Sequence, residues 1–469
     1  MSPSTRRVAG RYWLLGFKGP APADDFLRLL ERFAPPAVIV FRDNLPGGPG
    51  ALPALRARLE EAAQRRLRVV LDEEGGWIQQ LHGEDGPPPW PSPRAQAMAG
   101  PDAVRRCHRA MAASSRALGA ELLATPLADL DAGAANPVIG TRSFGDAPDL
   151  AGACVAAAVT GLGEGGAAAV LKHYPGHGDS LEDSHLTLPA VPRDRARSLE
   201  PFREGIAAGA AAIMSAHLRL AGDDDARPAT YRPDLMRDRL AGELGFGGLV
   251  ITDALEMAGA AVLPLDERGP AALAAGCHLL TLARWEPGAE RMLEALATAL
   301  DAGRLRQAWL DEADARWAAF EAALPAAAAA ASPVDLAPLR AAGVFRPGGG
   351  EATSLLKPGA SPAIDLDHGN LGSWRLDEYL EALRPFRVRR LGEDDAPTAP
   401  VYLHLGRTPP PRTRLDALAA LEARGEAPAV LANGIWGWTL IVERRLATAE
   451  SSPAGLAALL AAAGLADPS

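Results

Sequence analysis

The sequence predicts an α/β protein: a (β/α)8 TIM-type barrel followed by a smaller α/β C-terminal domain. Three observations carry this. Short apolar runs alternate with longer stretches of helical spacing from residue 11 to about residue 303. Polar residues collect at the C-terminal ends of those runs, where a parallel barrel gathers its loops. An alanine tract then separates this region from a second, shorter series of strand-like runs.

In chain order the runs are RYWLLGF, AVIVFRDN, RVVLDEEGG, ELLATPLADLD, AAVLKHYPG, AAIMSAHLRL, GGLVITDALEM and CHLLTLAR. Each is too short to be a stable helix, and most are continuous in Val, Ile and Leu, as strands buried on both faces are. Between them lie DDFLRLLERFA, DAVRRCHRAMAASSRALGA, SLEPFREGIAAG and GAERMLEALATALDAG, whose apolar residues recur three and four apart and give each helix one face for the sheet. A doubly wound open sheet shares this alternation. Five strand ends carrying polar residues (Asp72 to Glu74, Asp129, Lys172 with His173, His217, and Asp253) favour the closed form, because a barrel brings all of them to one mouth. GLGEGG precedes a strand instead of following one, so it reads as a turn and not a dinucleotide fingerprint. The charged, alanine-rich helix RLRQAWLDEADARWAAFEAAL closes the first domain. The expected division is residues 1–325 for the barrel, 326–345 for an alanine-rich connection, and 346–469 for a small open sheet with helices (AIDLD, LDEYLEALRPF, RVRRLG, VYLHLG, RLDALAALEARG, AVLANGI).

Composition narrows the class. The chain has 469 residues, 48% of them hydrophobic, enough for a large core. A formal charge of -10 argues against nucleic-acid and anionic-membrane partners. Cys107, Cys154 and Cys277 form no CxxC pair, as expected of a reducing compartment. Arg11 interrupts the N-terminal apolar patch, and no run approaches membrane-spanning length, so the expected location is the cytoplasm.

The stretch KHYPGHGDSLEDSHLTLP, residues 172–189, holds three of the nine histidines and Lys172, one of only three lysines in an arginine-dominated chain. His173 and His177 are four apart, a zinc spacing on a helix, but Pro175, Gly176 and Gly178 break any helix there. A converging zinc site stays open as an alternative. Proton handling fits the residue types better. Asp183 and His185 are two apart in a polar loop, so the carboxylate can accept from one ring nitrogen and leave the other to exchange a proton. A solvated loop pair is the plain alternative. Asp253 leaves the apolar run GGLVITD at the barrel rim, where a carboxylate can attack an acetal carbon; capping the next helix is its plain alternative.

Taken together, LDEEGG, NPVIGTRSFG, KHYPGHGDSLEDSHLTLP, RPAT and GFGGLVITDALEM make the sequence resemble glycoside hydrolase family 3, specifically its β-N-acetylglucosaminidase branch, over most of residues 11–320. DSH after KHYPGHGD separates this branch from the β-glucosidases of the family. The resemblance implies Asp253 as nucleophile, His185 as general acid/base and Asp183 as the group that orients it. It also implies sugar binding by Asp72, Arg142, Lys172 and His173, with no metal and no organic cofactor. The expected activity is a retaining exo-β-N-acetylglucosaminidase acting on muropeptides or chitin oligosaccharides, with carbohydrate as its only expected partner. Trp77 and Gln80 stand where the family usually has arginines, and His278 where it has an acid. Altered sugar preference, phosphorolysis, or a non-catalytic sugar-binding relic are the alternatives those departures raise.

Overall fold

A computed structural model describes residues 2–324, apart from 84–85, 132–135, 137 and 181. Beyond 324 it describes only the backbone of six strands. The expected connection at 326–345 lies outside the described residues except for Val344–Phe345, and so do the helices expected in the C-terminal region.

The first region is a closed eight-stranded parallel barrel. Its strands are β1 (Trp13–Phe17), β2 (Ala37–Ile39), β3 (Arg68–Leu71), β4 (Leu122–Leu123), β5 (Ala168–Tyr174), β6 (Ala212–Ser215), β7 (Leu249–Ala254) and β8 (Leu279–Trp285). The order around the barrel is β1-β8-β7-β6-β5-β4-β3-β2. Alternate residues on each strand separate the core into two layers. Leu14, Ile39, Val70, Leu122, Val170, Met214, Ile251 and Leu279 fill the interior. Their neighbours Leu15, Val38, Val69, Leu71, Leu171 and Leu280 face the helices. Phe320 and Trp317, from the helix Gln307–Ala323, pack onto the interior cluster.

The helices form where the spacing placed them, at Asp24–Phe33, Pro101–Ala117, Ala196–Ala207 and Glu290–Asp301. The strands are shorter than the apolar runs, for local reasons. Pro126 has no N–H for the ladder, so β4 stops at Leu123; beyond it the Thr125 carbonyl accepts the Val170 N–H at 3.2 Å and a bridge joins Leu127 to Lys172 of β5. After β2 the chain turns into a 3-10 turn at Arg42–Asn44, where Asn44 Oδ1 accepts the Phe41 N–H at 2.9 Å. GLGEGG is only partly a turn: Gly161–Glu164 end the helix Pro148–Glu164, and the turn is confined to Gly165 and Gly166. Peptide bonds are cis at Thr125–Pro126, Lys172–His173 and Tyr174–Pro175.

In the C-terminal region β9 (Val344–Phe345), β10 (Pro362–Leu366), β11 (Arg389–Arg390), β12 (Val401–Leu405), β13 (Ala429–Asn433) and β14 (Arg445–Thr448) form one sheet in the order β9-β14-β13-β12-β10-β11. All neighbours are parallel except β9 and β14. Among the described residues no helix is long and apolar enough to cross a membrane.

Candidate active site

The barrel mouth opens into a cleft of about 1050 Å³. Asp72, Arg142, Lys172, His173, His185 and Asp253 all line it; Asp72, Lys172 with His173, and Asp253 come from strand ends, while Arg142 comes from the 3-10 turn Gly140–Arg142 and His185 from the loop after β5. Asp183 joins them through His185.

One wall is a buried charge network. Lys172, 2% exposed, places Nζ 2.6 Å from Asp72 Oδ1 and 2.6 Å from Glu74 Oε1. Arg142 donates to Glu74 through Nε at 2.7 Å and Nη2 at 2.8 Å, and through Nη1 to the Val138 carbonyl at 3.1 Å. Burial alone would raise the Glu74 pKa, but Arg142 and Lys172 outweigh it and hold it at about 2. The adjacent Glu73 is fully buried too, and the charge of Arg42 offsets that burial only in part. Burial pushes it up to about 7, although it accepts the backbone N–H groups of Gln80 at 2.6 Å and Leu81 at 3.2 Å.

Asp129, at the end of the fourth run, organises the KHYPGH segment. Its carboxylate accepts the His173 Nδ1–H at 2.6 Å, the His173 backbone N–H at 3.1 Å and the His177 backbone N–H at 2.6 Å. Asn136 donates to the carbonyls of His177 and Gly178 at 3.1 and 2.9 Å. Any Cβ at Gly178 would come within 1.7 Å of the Leu130 carbonyl oxygen, so only glycine lets the loop lie this close.

His185 projects from the loop after β5 with 63% of its side chain exposed. Its Nδ1 donates to Asp183 Oδ1 at 2.7 Å, and its backbone N–H donates to the same oxygen at 2.9 Å. The Asp183 hydrogen bond raises the His185 pKa above the ordinary histidine value, and the charge of Asp253 adds to it. Asp253 lies within β7, so it does not cap a helix; the chain after it forms a turn and then the 3-10 helix Ala258–Ala260. Its Oδ1 accepts the Ala254 N–H at 2.7 Å. Burial works to raise its pKa, but His173, His217 and His185 together hold it below the usual carboxylate value. His217 is fully buried and donates from Nε2 to the Ala254 carbonyl at 2.9 Å, which steadies the end of β7.

The expected departures fall in different places. Gln80 lines the cleft; its Oε1 accepts the Arg42 N–H at 2.8 Å and its Nε2 donates to the Asp72 carbonyl at 3.0 Å. Trp77 is buried at 3% exposure. His278 precedes β8, accepts the Val250 N–H at 3.0 Å and sets Nε2 3.7 Å from Glu312, away from the cleft lining. For the zinc alternative, one nitrogen of each ring is already engaged, His173 Nδ1 on Asp129 and His177 Nε2 on Ser184 at 2.9 Å. Among the described residues no group of three His, Cys, Asp or Glu is placed to hold a metal ion.

The lining also includes Glu74, Glu256 and Arg284, which the sequence does not single out. Glu74 was noted only as part of a polar strand end. Glu256, three residues after Asp253, accepts the Arg284 N–H at 2.7 Å, and burial raises its pKa. Arg284 lies 3.8 Å from the centre of the Phe41 ring and pairs with Asp43 at 2.7 Å. The sequence holds no local signal for Arg284, since its partners come from the far end of the barrel region.

A closed parallel barrel whose mouth sets carboxylates, a histidine–aspartate pair and buried cations around one cleft defines a class of enzyme that acts on polar, polyhydroxylated substrates. Comparison with known proteins gives the family. The profile described as "Glycosyl hydrolase family 3 N terminal domain" matches residues 49–319. A β-hexosaminidase of Stenotrophomonas maltophilia (strain K279a) is 37% identical over 261 residues, 54% of this chain and 77% of that protein. The structure of a glycoside hydrolase family 3 β-N-acetylglucosaminidase from Paenibacillus sp. str. FPU-7 superposes with a TM-score of 0.83 at 25% identity, covering 98% of this chain and 96% of that one. A β-N-acetylhexosaminidase from Beutenbergia cavernae DSM 12333 superposes with a TM-score of 0.61 at 25% identity, over 68% of this chain and 99% of that one. The chain belongs to glycoside hydrolase family 3, on its β-hexosaminidase branch, and is a glycoside hydrolase.

Proposed function

We propose that the protein is a retaining exo-β-N-acetylglucosaminidase that works through a covalent glycosyl-enzyme. The observation that carries this reading is the pairing of an Asp183-oriented His185 with an Asp253 carboxylate on one cleft. Asp253, ionised at neutral pH, attacks the anomeric carbon as the glycosidic C–O bond breaks, and the His185 imidazolium gives its proton to the leaving oxygen. Neutral His185 then takes a proton from water, which attacks the same carbon and releases the sugar with net retention. Asp183 fixes the ring tautomer and favours the imidazolium.

In this reading Asp72, Lys172, Arg142 and His173 hold the terminal sugar. The carboxylate accepts from ring hydroxyls, and the buried cations, steadied by Glu74, donate to them. A cleft of about 1050 Å³ lies at the top of the range of roughly 300–1,000 Å³ for pockets holding drug-sized ligands, which leaves room for more than one sugar ring. Chitin oligosaccharides and cell-wall muropeptides are the proposed substrates. Free, buried cysteines support a cytoplasmic enzyme that recycles wall fragments.

Rates on a panel of aryl β-glycosides, with and without phosphate, test the reading. Preference for the 2-acetamido sugar, with free N-acetylglucosamine as product in both buffers, is the expected result. A sugar 1-phosphate product would establish phosphorolysis, and no turnover would establish the binding relic.

A further inference from the structure

We propose that Ser184 is the positioning residue that docks the proton-transfer loop onto the barrel. Ser184 lies between Asp183 and His185, yet it is 2% exposed, while the His185 side chain is 63% exposed and Leu186 is 75% exposed. Between Asp183 and Leu186, Ser184 is the buried residue. Two contacts hold it, from opposite sides. Ser184 Oγ lies 2.9 Å from His177 Nε2, and the Ser184 carbonyl accepts the Gly259 N–H at 3.0 Å.

Each contact leads to a different part of the site. His177 donates its backbone N–H to Asp129, the carboxylate that also accepts from His173, so the sugar-facing histidine and the loop anchor share one acceptor. Burial pulls the His177 imidazole below its ordinary pKa, so neutral ring and hydroxyl share a single proton. Gly259 follows Asp253 on the β7 loop. A Cβ there would stand 2.8 Å from His217 Cβ, 2.9 Å from its carbonyl oxygen and 3.0 Å from the Ser184 oxygen, so the close approach requires glycine. Ser184 thus ties the loop bearing His185 to the segment bearing Asp253 and to the Asp129 network at once. Ser184 opens the turn over residues 184–186, closed by the Leu186 N–H on the Asp183 carbonyl at 2.9 Å, and the Asp183 carboxylate accepts both the His185 backbone N–H and its Nδ1–H, so docking Ser184 places Asp183 and His185 as one unit.

This inference rests on His185 being the acid/base, and its test separates the two. The slope of log(kcat/KM) against leaving-group pKa is measured on a series of aryl N-acetyl-β-glucosaminides for the wild type, His185→Ala, Ser184→Ala, Ser184→Thr and His177→Phe. Folding of each is checked by its Tm. Ser184→Ala is expected to lose about tenfold on the poorest leaving group and less than about twofold on the best, because only a poor leaving group needs a well-placed proton. Ser184→Thr, which keeps the hydroxyl, should restore the wild-type slope. His177→Phe, which keeps a planar ring and deletes its nitrogens, should steepen the slope as Ser184→Ala does and stands in for it if that variant does not fold. A steep His185→Ala slope with a flat Ser184→Ala slope overturns the clamp alone. A threonine that fails to restore the slope also overturns it, because the loss then belongs to packing. A flat His185→Ala slope overturns the acid/base reading and the clamp with it.

Discussion

Glu74 and Arg142 meet through two parallel hydrogen bonds, 2.7 and 2.8 Å long, in the wall of the cleft, with Glu74 fully buried. Lys172 approaches the same carboxylate from β5 at 2.6 Å. One buried anion thus gathers two cations, one from strand β5 and one from the 3-10 turn Gly140–Arg142, which pre-organises the cleft wall before any sugar arrives.

That arrangement predicts the cost of removing the anion. Glu74→Gln leaves two buried cations short of their partner and should destabilise the fold by about 3–5 kcal/mol, read by urea unfolding at pH 7. The sign in pH follows from the depressed pKa of about 2. The stabilisation is fully present above the unfolded carboxylate value and is lost as pH falls through the folded one. The gap between wild type and variant should therefore narrow below about pH 4. A gap independent of pH would contradict the pairing.

Asp253→Asn should lower kcat on an aryl N-acetylglucosaminide by about a thousandfold or more, since the amide cannot form the glycosyl ester. Wild-type turnover would remove Asp253 from the mechanism.

The pH–rate profile carries a second signature. The acid form of His185 is lost as pH rises through its raised pKa, and the carboxylate form of Asp253 is lost as pH falls through its lowered one, so kcat/KM should be bell-shaped with a broad top. Asp183→Asn removes the largest cause of the histidine shift, so the alkaline limb should move to lower pH while the acid limb stays. An alkaline limb that does not move would mean another group sets it.

Gln80 bridges the Arg42 N–H to the Asp72 carbonyl. Gln80→Ala should loosen Asp72 and raise KM about three- to tenfold with a smaller change in kcat, as loss of one or two ordinary hydrogen bonds would. A fall in kcat alone would place Gln80 in the chemical step instead.

Much of the fold was readable because its signals are periodic. Apolar runs such as GGLVITD and AAVLKHY are mostly buried, and the helices between them repeat at three and four residues, so the number of strands and their alternation with helices follow from local pattern. Strand ends were less readable. ELLATPLADLD forms a strand only at Leu122–Leu123, because Pro126 removes a ladder donor and the chain beyond it serves Asp129.

By itself the sequence determined the strand order of the barrel and the rim position of Asp72, Lys172, His173 and Asp253, together with the pairing of Asp183 with His185, which is local; the segment that makes the pair is a turn, closed by the Leu186 N–H on the Asp183 carbonyl at 2.9 Å, and not the extended loop expected. Tertiary structure alone decided which charges share a partner. Glu74 with Arg142 and Glu256 with Arg284 join segments far apart in the chain, His177 with Ser184 folds one loop back on itself, and hydrogen bonds of a few ångströms depend on a closure that no local pattern records. The histidine-rich stretch is divided in the same way. Its residue types announce proton and ligand chemistry, but only the closed barrel shows that His173 and His177 hang from one carboxylate, while His185 reaches the cleft from the far side of an anchored serine.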